Sequence, residues 1–497
     1  MRRVGSPPVL DGSLGDDAWN QGPLQVGDWI SYNPLHGDRL VQRTDVWLAY
    51  DERYLYVAFR CSDPEPSRIK TGIRRRDTLF NDDWVGLALD SLGTRQASYD
   101  MFVNPSGMQG DILTGAGSGE NDAPDWVWES AGVMTPTGYN VEMRVPLESV
   151  RFRGGEQVRM GILFWRRVSR LGVSVSWPDL PPGRSRFERQ ATIVLRDLPD
   201  RRTRQVIPSA TYSVRQTRAD ESRFNGASGD ADLGVSAKFG ISSSLTVDAT
   251  VNPDFSQVES DTFQVEVNQR YPVFFSEKRP FFMEGSDLFA LAGPGGDMNM
   301  QAAVHTRRIV DPAAGFKFTG SAGGFTFGTI SAWDSAPGRT LDRASPNPYE
   351  GQHKAFNVGR ATYSLGPGSF VGALLADTRF GGGGNRVGGG DISLRLDDHQ
   401  RVAGMALYTM TSTPGEGSRG GAGAHATYEY SSRRLDVQGL VEHYDRDFQM
   451  DTAFYNQTGV TRGWAFAGYN IYPDKERYPW LRRIVPFVFT MHARDRF

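Results

Sequence analysis

Two tryptophans, Trp126 and Trp128, follow a stretch rich in glycine and aspartate that runs from Gly115 to Asp125. These residue types suit sugars: an indole face stacks on the apolar face of a pyranose ring, while Asp, Asn, Arg and Gln hydrogen-bond its hydroxyls. Trp84, and Trp29 with Tyr32, are further candidates for such a platform. The plainer reading is that these are core or rim aromatics of a sheet protein. In a strand Trp126 and Trp128 would point the same way, and one-face burial would account for both. The accessibility expected of loop aromatics is the physical support for a glycan site.

Asp11, Asp16, Asp17, Asp63, Asp82 and Asp83 offer hard oxygen ligands near turns, and among them Asp82 and Asp83 are the candidates for calcium. Their spacing matches no EF-hand loop, and solvated turn carboxylates explain them more simply. No cofactor is therefore expected, with calcium the one ion the ligand types suit. Glycoside hydrolysis needs two carboxylates facing across a cleft, one with a raised pKa. No motif marks such a pair, so no catalytic residue is assigned and no enzyme is expected; if there were an activity, it would be a hydrolase acting on O-glycosyl bonds. There is no Walker loop, Gly-x-Ser-x-Gly elbow or His-Glu-x-x-His motif, and the seven histidines are scattered. Arg74-Arg75-Arg76 reads as a solvated strand end or loop.

Composition narrows the class. With 55 basic and 58 acidic residues there is no global basic field, so nucleic acid is not an expected partner. The single cysteine, Cys61, excludes an intramolecular disulfide and a cysteine metal cluster. No run of 18 apolar residues exists for a membrane helix. The start, Met1 to Pro8, has two positive charges but no apolar core after them, so it does not read as a signal peptide; an exported protein would begin here in mature or incomplete form.

The elements that must position these residues are strands. Val46–Tyr50, Tyr54–Cys61, Trp84–Asp90, Tyr99–Asn104, Gly138–Val145, Val158–Val168 and Arg189–Leu195 are short runs between turn signals, with one helical turn at Pro146–Val150. Their number and spacing predict an antiparallel β-sandwich. From about Arg204 the strands lengthen and small residues multiply. Alternation recurs at Leu233–Phe239, Leu245–Val251, Phe316–Phe327, Ile392–Leu396, Leu435–Val441 and Trp464–Tyr472, as in transmembrane β-barrels. Roughly twelve to fourteen strands are expected there. The glycines at 381–384 and 388–390, and the stretch Thr413–Gly423, suit longer surface loops. Val251–Gly285 stands apart, packing six phenylalanines and three prolines among many charges. It reads either as a plug whose Glu277, Lys278, Arg279 and Glu284 pair inside a lumen, or as a turn that docks the sandwich beneath the barrel.

Leu10-Asp11-Gly12 leading to Trp19, then Tyr54-Leu55-Tyr56-Val57 with Asp63-Pro64, then Asp82-Asp83-Trp84-Val85-Gly86-Leu87-Ala88-Leu89-Asp90, resemble in order the motifs of the family-nine carbohydrate-binding module. The resemblance covers most of residues 9–197 and implies a glycan-binding sandwich. One departure is Gly86, where that family usually carries a glutamate expected to face the sugar. Val251–Glu259 and Phe275–Gly285 resemble the signature of the family called domain of unknown function 5916, which joins such a module to an outer-membrane-type β region. Its members run longer than this chain, so the resemblance implies a chain that stops inside the barrel.

Together these predict an all-β chain: residues 1–197 an antiparallel β-sandwich, residues 198–497 a transmembrane-type β-barrel. The expected function is binding of a polysaccharide or oligosaccharide at the cell envelope, coupled to a barrel for passage or anchoring. Outer-membrane lipid is the other expected partner, and the expected place is the bacterial outer membrane with the sandwich in the periplasm. The alternatives are a glycoside hydrolase of carbohydrate catabolism and a structural envelope protein that binds another protein.

Overall fold

A computed structural model describes residues 1–497 other than 117–118, 123, 151, 153, 200–203, 217–225, 227, 243, 256–272, 294–297, 341–344, 475, 479 and 496–497. Part of the expected family signature, Ser256–Glu259, and Phe263 lie outside the described residues. The fold is all-β, as expected.

The N-terminal part is a sandwich of a five-stranded and an eight-stranded sheet. Thr44–Tyr50 and Tyr54–Ser62 form the expected hairpin, and Gly138–Pro146 pairs with the second of these strands. In the other sheet Trp84–Asp90 lies between Ala97–Val103 and Gly155–Val168. Alternation sends Val85, Leu87 and Leu89 into the inter-sheet core with Val57, Phe59, Val141 and Phe164. Trp84 and Ala88 point to the opposite face, where a second cluster covers them, so every residue of this strand is buried. The sheets are antiparallel except for Arg2–Arg3, which pairs parallel to Thr44–Tyr50. Trp126 and Trp128 fall in a loop before the strand Glu129–Thr135, not in a strand.

From Arg204–Arg215 to Phe487–Asp495 thirteen strands form one antiparallel sheet in which each pairs with the next of the sheet along the chain. A single apolar cluster touches Ile330, Phe356, Leu374, Val387, Met405, Tyr444 and Val460, so the sheet curls around a shared interior as a barrel wall. Among the described residues no ladder joins the first strand to the last. One strand expectation and two loop expectations are corrected. Phe316–Phe327 is two strands, Pro312–Ala322 and Phe325–Asp334, because Gly323 and Gly324 adopt φ +56° and +86° and turn the chain within two residues. The glycines at 383–384 and 388–390 belong to the strand Gly383–Arg395, where Gly388 lies between Leu375 and Tyr408 of the adjacent strands. Glycine there leaves room for large outward neighbours. Thr413–Gly423 holds only a short turn, since one strand ends at Thr413 and the next begins at Gly417.

The wall is inverted relative to a water-soluble sheet. On Ser369–Phe380, Leu375 is 68% exposed while its neighbour Leu374 is wholly buried. Val371, Tyr408, Met410, Tyr428 and Val441 also face outward, whereas Lys317, Arg360, Asp391, His425 and Glu442 are buried inside. Apolar side chains out and charges in is the pattern that a hydrocarbon surround selects. No helix among the described residues is long and apolar enough to cross a membrane, which says nothing of strands.

Val251–Gly285 resolves into the first of the two expected arrangements. The strand Leu245–Val251 delivers the chain to one end of the wall, and Pro312–Ala322 takes it back from the same end. The described residues between them fold inward, with Phe282, Phe289, Met300 and Ile309 in the interior cluster. The sandwich lies at the other end, against the turns at Gly366–Ser369 and Asp398–His399, so the described residues 273–285 belong to a plug and not to a turn beneath the sandwich.

Candidate functional site

The five aromatics proposed for sugar fall into two groups. Trp128 is buried in the inter-sheet core, and Trp126 and Trp29 pack half-buried against the same core. Trp128 Nε1 donates to Asp111 Oδ1 at 2.6 Å, and the Trp126 ring meets Tyr99 edge-on at 4.9 Å. Trp84 and Tyr32 belong to the cluster on the outer face of the eight-stranded sheet. Burial pushes the Tyr32 phenol up to about 12. On that face Gly86 pairs with Trp165 on one side and Phe102 on the other, and those rings stack at 5.5 Å. A Cβ on Gly86 would stand 2.6 Å from the Phe102 ring. The aromatic stack therefore occupies the space where the resembled family would carry its glutamate.

The aspartates are also engaged. Arg74 grips Asp82 through Nε and Nη2 at 3.1 and 2.9 Å, with Asn104 Nδ2 a further donor at 3.1 Å. Asp83 Oδ2 accepts the Lys70 N–H at 2.8 Å, and burial raises its carboxyl above the usual range. Arg74-Arg75-Arg76 lies in a loop with Arg74 and Arg75 exposed, as expected, while Arg74 and Arg76 also hold buried carboxylates. Arg76 pairs with Asp111 and Asp125 and lies over the Trp128 ring. Asp77, Asp111 and Asp125 place carboxylate oxygens within 4.8 Å of one another. Burial, with the charges of Asp111 and Asp125 adding to it, raises Asp77 to about 6. Asp111 is fully buried and occupied by Arg76 and Trp128, so the trio fastens the 121–128 loop to the sheet rather than facing across a cleft.

Sequence reasoning named Glu277, Arg279 and Glu284 within the plug but missed the wall residues that hold it. Lys317 Nζ donates to the carbonyls of Phe281 and Glu284 at 2.6 and 2.9 Å. Lys238 Nζ reaches both Glu284 oxygens at 2.6 and 2.7 Å. Arg360 and Asp391 form a buried two-point pair at 2.5 and 2.7 Å. The same pair holds the plug, since Arg360 donates to Ala290 O at 3.0 Å and Asp391 accepts the Ala292 N–H at 2.7 Å. Within the plug, Arg279 pairs with Glu277, donates to the Thr306 and Ile309 carbonyls and covers the Phe282 ring at 4.4 Å. The available signal was a lone charge at an inward position of an otherwise small or apolar strand.

Two cavities lie on the two sides of this plug. Toward the end where the plug enters, a cavity of about 880 Å³ is lined by four basic residues (Arg308, Lys354, Arg419, Arg446) and four acidic ones (Asp334, Glu416, Asp447, Asp451). Thr411, Gln449, Asn456 and Gln457 add neutral donors and acceptors. Toward the sandwich, a cavity of about 370 Å³ is lined by plug, wall and sandwich residues, the last including Leu113, Glu120 and Pro124. The sandwich closes that side through Gln96, which donates to Gly366 O at 2.7 Å, and through Arg401, which donates to Ala116 O at 2.5 Å. Gly183, at φ +85°, lies so close to the wall that a Cβ would stand 2.1 Å from Ser431 O.

Residues 205–293 match the family described as Domain of unknown function (DUF5916). The match takes in both stretches on which that resemblance was read, Val251–Glu259 and Phe275–Gly285. No curated protein matches the chain. Among solved structures it is similar to a carbohydrate binding module family 9 (CBM9) from Caldicellulosiruptor kristjanssonii in complex with glucose, at 21% identity over 35% of this chain and 85% of that one, with a TM-score of 0.25. It is also similar to Pseudomonas aeruginosa OpdK with vanillate, at 11% identity over 83% of this chain and 82% of that one, TM-score 0.26. A third is Pseudomonas aeruginosa OpdL, at 10% identity over 83% of this chain and 92% of that one, TM-score 0.23.

Proposed function

We propose that the protein is an outer-membrane β-barrel that admits neutral, hydroxyl-rich solutes of the carbohydrate class, with residues 198–497 as the barrel and residues 1–197 as a periplasmic glycan-binding module. The observation that carries this reading is the 880 Å³ vestibule, whose basic and acidic side chains balance four against four. A balanced, amide- and hydroxyl-bearing lining favours polar solutes without net charge, whereas single-sign rings select ions. The outward apolar belt supports the membrane setting. The family-nine motifs support glycan as the ligand class of the sandwich, with the half-buried Trp126, Trp29 and Tyr32 as its candidate contacts, whereas Trp128 and Trp84 are taken up by the two apolar clusters.

Liposome swelling with the full chain tests the reading. Neutral mono- and disaccharides are expected to enter faster than amino acids or sugar acids of similar size, and a variant with a loosened plug should widen the difference. Equal entry of charged and neutral solutes, or no entry with the plug loosened, would refute it. For the sandwich, Trp126→Ala with Trp29→Ala should abolish glycan-array binding, and unchanged binding would remove these residues from the site.

A further inference from the structure

We propose that the cavity between plug and sandwich is a binding site for a soft monovalent metal ion, Cu(I), with thioether sulfurs of Met298, Met300 and Met405 and the imidazole of His425 as ligands. All four line that one cavity and all four are buried. Thioether and imidazole together suit Cu(I) among biological metals, and no thiolate competes, since the only cysteine is buried in the sandwich.

The backbone brings these groups together. Met405 and His425 are direct cross-strand partners on the inner face of the wall, which sets their side chains side by side. Met298 lies two residues before Met300, which opens the short strand Met300–Ala302, and both side chains are buried on the cavity. Asn299 between them faces the other way and is clamped: its N–H donates to Glu442, and its side chain exchanges hydrogen bonds of 2.7 and 3.0 Å with the backbone of Gln457. Gly293 completes the contact, because a Cβ there would stand 3.0 Å from both Met298 Sδ and His425 Nε2. The absence of that carbon lets the sulfur and the imidazole approach one backbone.

His425 is arranged as a ligand. Its Nε2 lies 2.7 Å from Ala292 O. A carbonyl only accepts, so Nε2 carries the proton and Nδ1 is a bare lone pair. Nδ1 is buried and has no hydrogen-bond partner among the described residues. A ring N–H given to a backbone carbonyl, with the other nitrogen left open, is the arrangement that orients histidines bound to metals. The inference concerns binding alone and does not depend on the glycan reading.

The test is Cu(I) titration of the full chain, folded in detergent and kept anaerobic with ascorbate, against the chromophoric chelator bicinchoninate. One equivalent should be withheld from the chelator, and X-ray absorption should show sulfur scatterers around copper. Met298→Leu with Met300→Leu, and separately Met405→Leu, keep side-chain volume; each should weaken retention at least about tenfold. Complete stripping of the wild-type protein, a shell of light scatterers only, or unchanged retention in the variants would overturn the site. Should a variant fail to reach the compact barrel on an unheated gel, the wild-type spectrum decides by the presence or absence of sulfur.

Discussion

Asp391 should govern whether the plug stays seated. Its carboxylate is buried, grips Arg360 at 2.5 and 2.7 Å and accepts the Ala292 N–H of the plug at 2.7 Å. Asp391→Ala leaves a guanidinium without its counter-charge inside the wall. Breaking a buried pair from one side costs about 3–5 kcal/mol. That cost falls on the docked arrangement, because once the plug withdraws, water can reach Arg360. At about 1.4 kcal/mol per decade, a loss near 4 kcal/mol lowers the ratio of docked to undocked plug by roughly a thousandfold. Hydrogen exchange of the peptide spanning 286–293 reads this ratio directly, and conductance in planar bilayers reads its consequence. The double variant Arg360→Met with Asp391→Leu should recover most of the loss, since no charge is left buried. It should still fall short of wild type by about 1–3 kcal/mol for the unaccepted Ala292 N–H. The expected order of protection is wild type, then double variant, then Asp391→Ala. Exchange in Asp391→Ala within about threefold of wild type, or a double variant less protected than the single one, would refute the clamp.

Leu375→Arg places a cation at an outward position of Ser369–Phe380; it should cost about 2–4 kcal/mol of folding stability in bilayers, measured by urea titration in vesicles, and no cost would contradict a lipid-facing wall. Gly86→Glu drives a side chain into the Phe102 ring, and overpacking of this kind should cost about 1–3 kcal/mol, read by exchange of the Trp84–Asp90 strand, without creating glycan affinity. Asp77 gives a pH signature. Its folded pKa, raised to about 6 by burial, lies above the unfolded value, so the folded state holds the extra proton between the two. The stability it contributes is complete below about pH 4 and is lost as pH rises through about 6. Exchange protection of Gln109–Gly115 should fall over that window in the full chain, and Asp77→Asn should flatten the dependence.

The fold was legible where alternation and turn residues agree. Tyr54–Ser62 and Gly138–Pro146 emerge from their period-two patterns because one face is core and the errors of register would be severe. The wall was legible as a class but not strand by strand. Glycine reads as loop in a soluble chain, yet in Gly383–Arg395 it makes room for Leu375 and Tyr408 on the outer face. The division of Phe316–Phe327 hung on the left-handed pair Gly323–Gly324, which a window averaging hydropathy does not register. Within the candidate sites, residue type was visible but pairing was not. Arg76 and Asp111 are 35 positions apart and Arg360 and Asp391 are 31 apart, so only register brings each pair together. Trp128 looked accessible because its loop is polar, whereas its indole N–H has a buried carboxylate to satisfy it, and that makes burial possible.

The contacts that close the two ends of the interior differ in kind, and this difference orders any opening. The sandwich is held against the wall by hydrogen bonds to backbone carbonyls, from Gln96 to Gly366 and from Arg395 and Arg401 to Gly183 and Ala116, and by partly exposed ion pairs such as Arg184 with Asp398. Neutral bonds contribute about 0.5–1.5 kcal/mol each, those from a guanidinium about 1.5–3 kcal/mol and exposed pairs about 0–1 kcal/mol, and each can separate on its own. The plug is held by Lys317 and by Arg360 with Asp391, all inside the wall, where a charge that loses its partner finds no water until the whole segment has moved. Its apolar part, with Phe282 and Phe289 against Ile330 and Leu374, must separate in the same step. Undocking of the sandwich is thus graded and local, while release of the plug is all-or-none. In the passage proposed above, a solute in the vestibule would meet the steeper barrier first, and undocking of the sandwich would leave that barrier standing.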